Sequence, residues 1–258
     1  MPQMPLLTDL IDHLDRLLAV DGFSDYGPNG LQVPGPTHVQ TVVTGVSANG
    51  QLIDAAAAEG ADLVVVHHGL FWRGDPQEIT PIQHRRLKPL LAGDIALAAY
   101  HLPLDAHPEH GNNALLAAAL RGADPQPFAE QGGRPIGIRV TFPEPDGLTI
   151  GELTARVRDA VGGREPLVVD AGPGRVRTLG IVSGAASDEM LAAIDLGLDA
   201  FLTGEPAERA FSIATDAGIH FLAAGHHATE TFGVRRLGEL LARQFGVRHV
   251  YVDVPNPI

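Results

Sequence analysis

The chain contains no cysteine, which excludes disulfides and thiolate metal sites and leaves imidazole and carboxylate to hold any metal ion. Such donors suit Zn, Fe, Mn, Co or Ni. Lysine is almost absent too, Lys88 being the sole example, and 18 basic residues face 31 acidic ones for a net charge of −13. The clustered cations with which a general nucleic-acid surface replaces phosphate counterions are therefore missing, which makes nucleic acid an unlikely partner while leaving room for a local basic pocket. No apolar run reaches the length of about 18 residues that a membrane span needs. The stretch MPQMPLLTDL lacks the basic and apolar regions of a secretory signal, so a soluble, cytoplasmic protein without a membrane partner is expected.

What the chain does have is bulk: 258 residues, 45% of them hydrophobic, enough to bury a sizeable core in two domains or in one large α/β domain with an insertion. Leu6, Leu10, Leu14 and Leu17 recur at helical spacing in a first amphipathic helix over Pro5 to Ala19. The Gly- and Pro-dense stretch from Asp21 to Pro36 reads as a loop with several turns; Asn29-Gly30 is first of all a turn signal, although Asn29 or Gln32 could also serve a site. From Gln40 onward strands and helices alternate through TVVTGVS, NGQLIDAAAAEG, ADLVVVHH, a helix over Ile82 to Ala92, and DIALAAYHLPLDAH. That order implies a parallel sheet with right-handed crossovers. Asn112 and Asn113 stand as cap candidates before an Ala/Leu-rich helix. DPQPFAEQGGRP reads as a linker into a second domain, which opens with the strand GIRVTF, and alternation resumes from VRTLGIVSG to VRHVYVDVP. The fold class is α/β, with two domains of mainly parallel strands. The C-terminal segment returning to the first sheet gives boundaries of 1–124 plus 226–258 for the first domain and 125–225 for the second, with a simple split near Asp124 as the alternative.

The apolar run LVVVHHG ends on His67 and His68, at the carboxyl end of a buried strand, where ligands bind in parallel sheets. Neighbouring side chains on a strand point to opposite faces, so the pair either flanks two ions or splits into one ligand and one capping residue. A weak internal repeat bears on the choice. GVSANGQLIDAAAAEGADLVVVHHG runs parallel to IVSGAASDEMLAAIDLGLDAFLTGE, and DIALAAYHLPLD to GIHFLAAGHHATE, which sets His101 opposite His226 and Asp105 opposite Glu230. Both halves carry His-x-x-x-acid just past a strand. In the second half a helix starting near His226 puts His226 and Glu230 on one face, and Glu230, with two oxygens, is the candidate to bridge two ions. His67, His68, Asp105, His226 and Glu230 together supply enough donors for two divalent metal ions, one strand-end histidine to each, with His101 as an auxiliary group orienting a carboxylate or water. Two ions about 3.5–4 Å apart activate water and stabilise entering and leaving oxygens, which implies hydrolysis. His227 reads as a supporting or structural residue, and His84, His107, His110, His220 and His249 as structural or solvent-exposed.

On NGLQV (Asn29 to Val33), VVVHHGLFW (Val64 to Trp72), YHLPLDAHPEHGNN (Tyr100 to Asn113), LTGE (Leu202 to Glu205), GHHATE (Gly225 to Glu230) and the terminal DVPNPI, the chain resembles the Nif3-like (NGG1-interacting-factor-3-like) dinuclear-metal proteins, also described as GTP cyclohydrolase 1 type 2 homologues. The resemblance runs over nearly the whole length and implies His67, His68, Asp105, His226 and Glu230 as ligands of two divalent metals, with Glu230 shared. It also implies two α/β domains flanking the metal site and a homo-oligomer, a toroidal hexamer with its sites facing the cavity. The extra inserted domain of some members is not expected in a chain this short. A metal-dependent hydrolase acting on a nucleotide or similar small molecule is the first functional expectation, with Glu230 and Asp105 holding the ions and His101 or His227 moving protons. A non-catalytic metal-binding, storage, delivery or interaction protein is the second. Glu205 is a possible site-lining acid outside the ligand set.

Overall fold

The computed structural model describes residues 4–258; the first three residues of the MPQMPLLTDL stretch lie outside them. In chain order the elements are α1 (Leu7–Leu18), β1 (Gly30–Val33), β2 (Thr41–Ser47), α2 (Gly50–Ala58), β3 (Leu63–His68), α3 (Pro81–Ala92), β4 (Ala96–Ala99), α4 (Leu102–Ala106), α5 (Asn112–Ala119), β5 (Ala123–Gln131) and β6 (Arg134–Thr141). There follow α6 (Ile150–Ala160), β7 (Leu167–Val169), β8 (Thr178–Ile181), α7 (Met190–Asp195), β9 (Ala200–Thr203), α8 (Ala210–Ala217), β10 (His220–Ala223), α9 (His226–Thr229), α10 (Thr231–Phe245) and β11 (Arg248–Tyr251). Two compact units result: Met1–Leu104 with Gly233–Pro255, and Asp105–Phe232 with Asn256–Ile258. Among the described residues no helix is long and apolar enough to cross a membrane.

The first unit is built on a five-stranded sheet of order β1-β4-β3-β2-β11, in which β4, β3, β2 and β11 run parallel and the edge strand β1 antiparallel. Strand alternation divides its core in two. Leu63 and Val65 of β3 face a cluster with Leu10 and Leu14 of α1 and Val234, Leu237 and Leu241 of α10, whereas Val64 and Val66 face Leu52, Ile53 and Leu90 from α2 and α3. Each such fully buried side chain contributes about 1.5–3 kcal/mol. The β-branched run of β3 is thus explained by burial on both faces. The loop expected over Asp21 to Pro36 is interrupted by β1, because Gly30 and Leu31 find backbone partners in Ala99 and Ala98 along the sheet edge.

The second unit has a six-stranded sheet of order β5-β6-β8-β9-β10-β7. β8, β9 and β10 run parallel, while β5, β6 and β7 are antiparallel to their neighbours, so this sheet is mixed. The segment DPQPFAEQGGRP is not a linker. It forms β5, which turns into β6 through Gly132 and Gly133 with Gln131 opposite Arg134. Both glycines have positive φ (60° and 79°), as the two-residue hairpin turn requires. Pro125 and Pro127 are accommodated because β5 lies at the sheet edge. The repeat is visible in the strand starts: Asp62 accepts hydrogen bonds from the Gln40 and Thr41 backbone N–H groups, and Asp199 does the same for Arg177 and Thr178.

Candidate metal site

In the first unit three imidazoles gather where β3 ends, on His67 and His68, and just past β4, on His101. His67, His68 and His101 each offer a ring nitrogen, and these atoms lie within 4.8 Å of one another. The rings of the adjacent pair, although on a strand, have centroids only 4.6 Å apart. Separate anchors aim them. His67 Nδ1 donates to the Tyr100 carbonyl at 2.9 Å, which makes Nε2 the lone-pair nitrogen, as in histidines that ligate metal. His68 Nδ1 meets Ser47 Oγ at 3.0 Å, at the end of the neighbouring β2. Tyr100 is itself pinned from α1, its hydroxyl donating to Asp15 Oδ1 at 2.8 Å.

His101 is set by the Asp21 to Pro36 segment. Its Nδ1 donates to Asp25 Oδ1 at 2.7 Å, and its backbone N–H donates to Asn29 Oδ1 at 2.7 Å. Asn29 Nδ2 donates in turn to Asp25 Oδ2 at 2.9 Å. Burial would raise the Asp25 carboxyl, but the hydrogen bonds from His101, Asn29 and the Tyr26 N–H outweigh it and hold it below its ordinary value. Asp25 is therefore a fixed anion behind His101. Gln32 acts on the neighbouring turn instead. Its side chain donates to the Pro28 carbonyl, accepts the Leu70 N–H at 2.8 Å, and fills the space that a side chain at Gly69 would need. It thereby fixes the turn that follows His68. The Trp72 ring stands nearly perpendicular to that of His101, with centroids 5.1 Å apart.

In the second unit the donors follow β8, β9 and β10. His226 Nε2 lies 3.1 Å from Glu230 Oε1, and its Nδ1 lies 2.5 Å from Glu205 Oε1. Burial opposes a charge on this ring, but Glu230 and Glu205 prevail and raise it to about 9. The two residues do not share one continuous helix. α9 ends at Thr229 and Glu230 is a non-helical joint before α10, yet the four-residue offset still brings the side chains together. Asp105 is buried, and its Oδ1 accepts from Asn112 Nδ2 at 2.8 Å and Ser183 Oγ at 3.0 Å. Asn112 and Asn113 are consequently not helix caps. Gly111 occupies the cap position, and Asn113 ties the Asp105 and Ile136 carbonyls to the Ser183 N–H.

Donor chemistry in both units fits a divalent ion: nitrogen and carboxylate oxygen, with second nitrogens tied back to oxygen. Gly184 adds to the fit. A methyl group built there would collide with Glu230 Oε1 and lie 3.3 Å from His226 Nε2, so the main chain makes room for these donors. His227 has its backbone N–H on the Ile258 carbonyl. His107 and His110 stack, and His107 Nδ1 accepts the Glu109 and His110 N–H groups, a turn-forming role. His220 and His249 are held by the Pro173 carbonyl and the Thr44 hydroxyl. Sequence reasoning did not single out Asp25, Ser47, Ser183 or Gly184. The repeat held a signal for the two serines, since Val-Ser recurs in the matching segments GVS and IVS, with Ser47 the last residue of β2 and Ser183 just past β8, and Ser47 orients His68 as Ser183 orients Asp105.

A family model described as Duf34/NIF3 (NGG1p interacting factor 3) matches residues 5–257. A Pseudomonas aeruginosa protein named GTP cyclohydrolase 1 type 2 homolog is 45% identical over 251 residues, covering 97% of this chain and 98% of the relative. A protein of the same name from Escherichia coli strain K12 is 43% identical over 254 residues, covering 97% and 98%. Among solved structures, one described as protein ybgI, of unknown function, superposes with a TM-score of 0.92 at 42% identity, covering 98% of this chain and all of that one (100%). TTHA1606 from Thermus thermophilus gives a TM-score of 0.89 at 36% identity, with coverage of 98% and 100%.

Proposed function

This chain belongs to the Duf34/NIF3 family, and from that premise we propose that it is a divalent-metal-dependent hydrolase acting on a nucleotide or a similar small molecule. The observation that carries the proposal is the cluster of His67, His68 and His101, three ring nitrogens gathered within 4.8 Å. In this reading His67, His68, Asp105, His226 and Glu230 hold two divalent ions, Glu230 being shared, and the relatives' name points to GTP as the first compound to test. Bound divalent ions supply Lewis acidity, which lowers the pKa of water and offsets charge developing on a substrate oxygen.

The chain's own residues divide the remaining work. Tyr100 and Ser47 orient the two strand-end imidazoles. Asn112 and Ser183 hold the Asp105 carboxylate by one oxygen. Glu205 accepts a hydrogen bond from His226 Nδ1, increasing the basicity of the other nitrogen. His101 accepts a proton at Nε2, and the imidazolium so formed is stabilised by Asp25 on the opposite nitrogen. The same reading takes the assembly to be a toroidal hexamer. Ile82 and Leu91 in one unit and Phe211 in the other, each more than 60% exposed, support self-association.

Elemental analysis with anomalous scattering on protein purified without chelator should find two ions per chain, and metal-replete protein should consume GTP over many turnovers. Glu230→Ala should abolish that turnover. Metal that loads and transfers with no turnover would mark a storage or delivery protein instead, and turnover that survives Glu230→Ala would expose a contaminant and end the assignment.

A further inference from the structure

The edge of the second sheet that carries Asp105's support, Glu205, His226 and Glu230 also carries a cation that no sequence motif marks. Because β7 is antiparallel to β10, with Leu167 opposite Ala223, the start of β7 lies where β10 ends, and Arg164 precedes it by three residues. The side chain packs on the main chain of Gly225, next to His226. A methyl group built on Gly225 would lie 2.7 Å from Arg164 Nε, 2.9 Å from Cδ and 3.0 Å from Cζ, so both stem and guanidinium rest on the glycine. Gly225 has φ of 102°, a conformation that leaves its face bare for that contact.

Neighbouring acids are engaged elsewhere. Glu165 pairs with Arg158 at 3.5 Å, while Glu205 and Glu230 both engage His226. Several other arginines of this acidic chain are matched to carboxylates, among them Arg85 to Asp54, Arg156 to Glu144 and Arg209 to Asp188. Among the described residues Arg164 has neither a hydrogen bond nor an ion pair. It is a half-buried, positioned guanidinium beside a candidate ligand. A planar fork of N–H donors matches the oxygens of phosphate and of carboxylate alike, and phosphate is the anion that a nucleotide substrate would bring; a fork already packed in place loses little entropy on binding.

We propose that Arg164 is an anion-binding residue that takes a phosphate group of the substrate beside His226. This rests on the hydrolase reading and sharpens its substrate class to phosphate-bearing compounds. The test uses inorganic phosphate as the probe, titrated into chelator-treated protein and followed by 31P line broadening and calorimetry, so that any site detected is made by protein groups. Arg164→Gln should weaken phosphate binding by about tenfold or more, the scale of losing a charge-assisted hydrogen-bond pair. Arg164→Lys should lose less, keeping the charge without the fork. Both variants should load metal and melt like the parent. Phosphate binding by Arg164→Gln within twofold of the parent overturns the inference, as does a loss that is no smaller in Arg164→Lys and is accompanied by a lowered melting temperature, which would make the residue a structural clamp on Gly225. Failure of the parent to load metal or turn over would remove the hydrolase reading while leaving the phosphate comparison readable.

Discussion

Replacing Gly184 by alanine separates the backbone's contribution to the candidate site from that of its ligands. Gly184 has φ of 68°, and an added methyl group would collide with Glu230 Oε1 while standing 3.3 Å from His226 Nε2. Gly197 is a matched control in the same unit, with φ of 65° and no heavy atom within 4 Å of an added methyl. A left-handed backbone costs alanine about 1–2 kcal/mol at either place. At roughly 2–4 °C per kcal/mol for a chain of this size, Gly197→Ala should lower Tm by about 2–8 °C. It should leave metal affinity unchanged. Gly184→Ala carries the same backbone cost and in addition displaces Glu230, whose loss of position should weaken metal binding by about 10–100-fold, the range seen when the support of a ligand is disturbed. Chelator-competition titrations and scanning calorimetry on the two variants read the two effects separately. Parental metal affinity in Gly184→Ala, or an equal loss in Gly197→Ala, would refute the placement of Glu230 and His226 as ligands enclosed by this turn.

The hydrogen bonds that hold Asp105 can be removed one at a time. Asn112→Ala and Ser183→Ala should each cost about 1–3 kcal/mol in urea denaturation, because both donors serve one buried carboxylate oxygen. The double variant should cost more than the sum, since each single variant leaves the shared acceptor one of these two donors and the double leaves it neither; strict additivity would count against a common role. A second measurement concerns pH. Burial pushes His249 below its ordinary value of 6.5, so the folded chain keeps this ring neutral while the unfolded chain protonates it. Its contribution is intact above about 6.5 and is lost as the pH falls from there through the lower folded value. Comparing urea midpoints at pH 7.5 and 5.5, His249→Gln should show a shallower decline than the parent, and identical declines would show that the ring does not titrate in this way.

How much of this was legible in the sequence follows from the range over which each signal acts. β3 could be read because burial on both faces demands a continuous β-branched run, and His67 and His68 interrupt that run at the end where parallel sheets bind ligands. Asp105 and Glu230 could be read from a short spacing repeated in both halves. The edge strands could not. β1 lies in a Gly- and Pro-dense stretch and β5 carries two prolines, and both owe their pairing to partners in the sheet rather than to their own periodicity. The Gly132-Gly133 pair was the local clue to the β5-β6 hairpin, outweighed by the surrounding prolines.

The residues that position the donors lay further out of reach, and for one reason. Asp25 meets His101 across 76 positions of chain, Ser183 meets Asp105 across 78, and Arg164, just before β7, reaches the main chain of Gly225, just after β10. A ligand announces itself by residue type at a strand end, but its support is chosen by the packing of loops that share no period with it. Only where the weak internal repeat offers a matching segment does support become readable. Ser47 at the end of β2 and Ser183 just past β8 occupy matching positions and turn their hydroxyls to His68 and to Asp105, so the repeat that pointed to the candidate donors also held a signal for two of the groups that aim them. Asp25 has no such counterpart, which is why His101 could be nominated from sequence while the carboxylate that orients it could not.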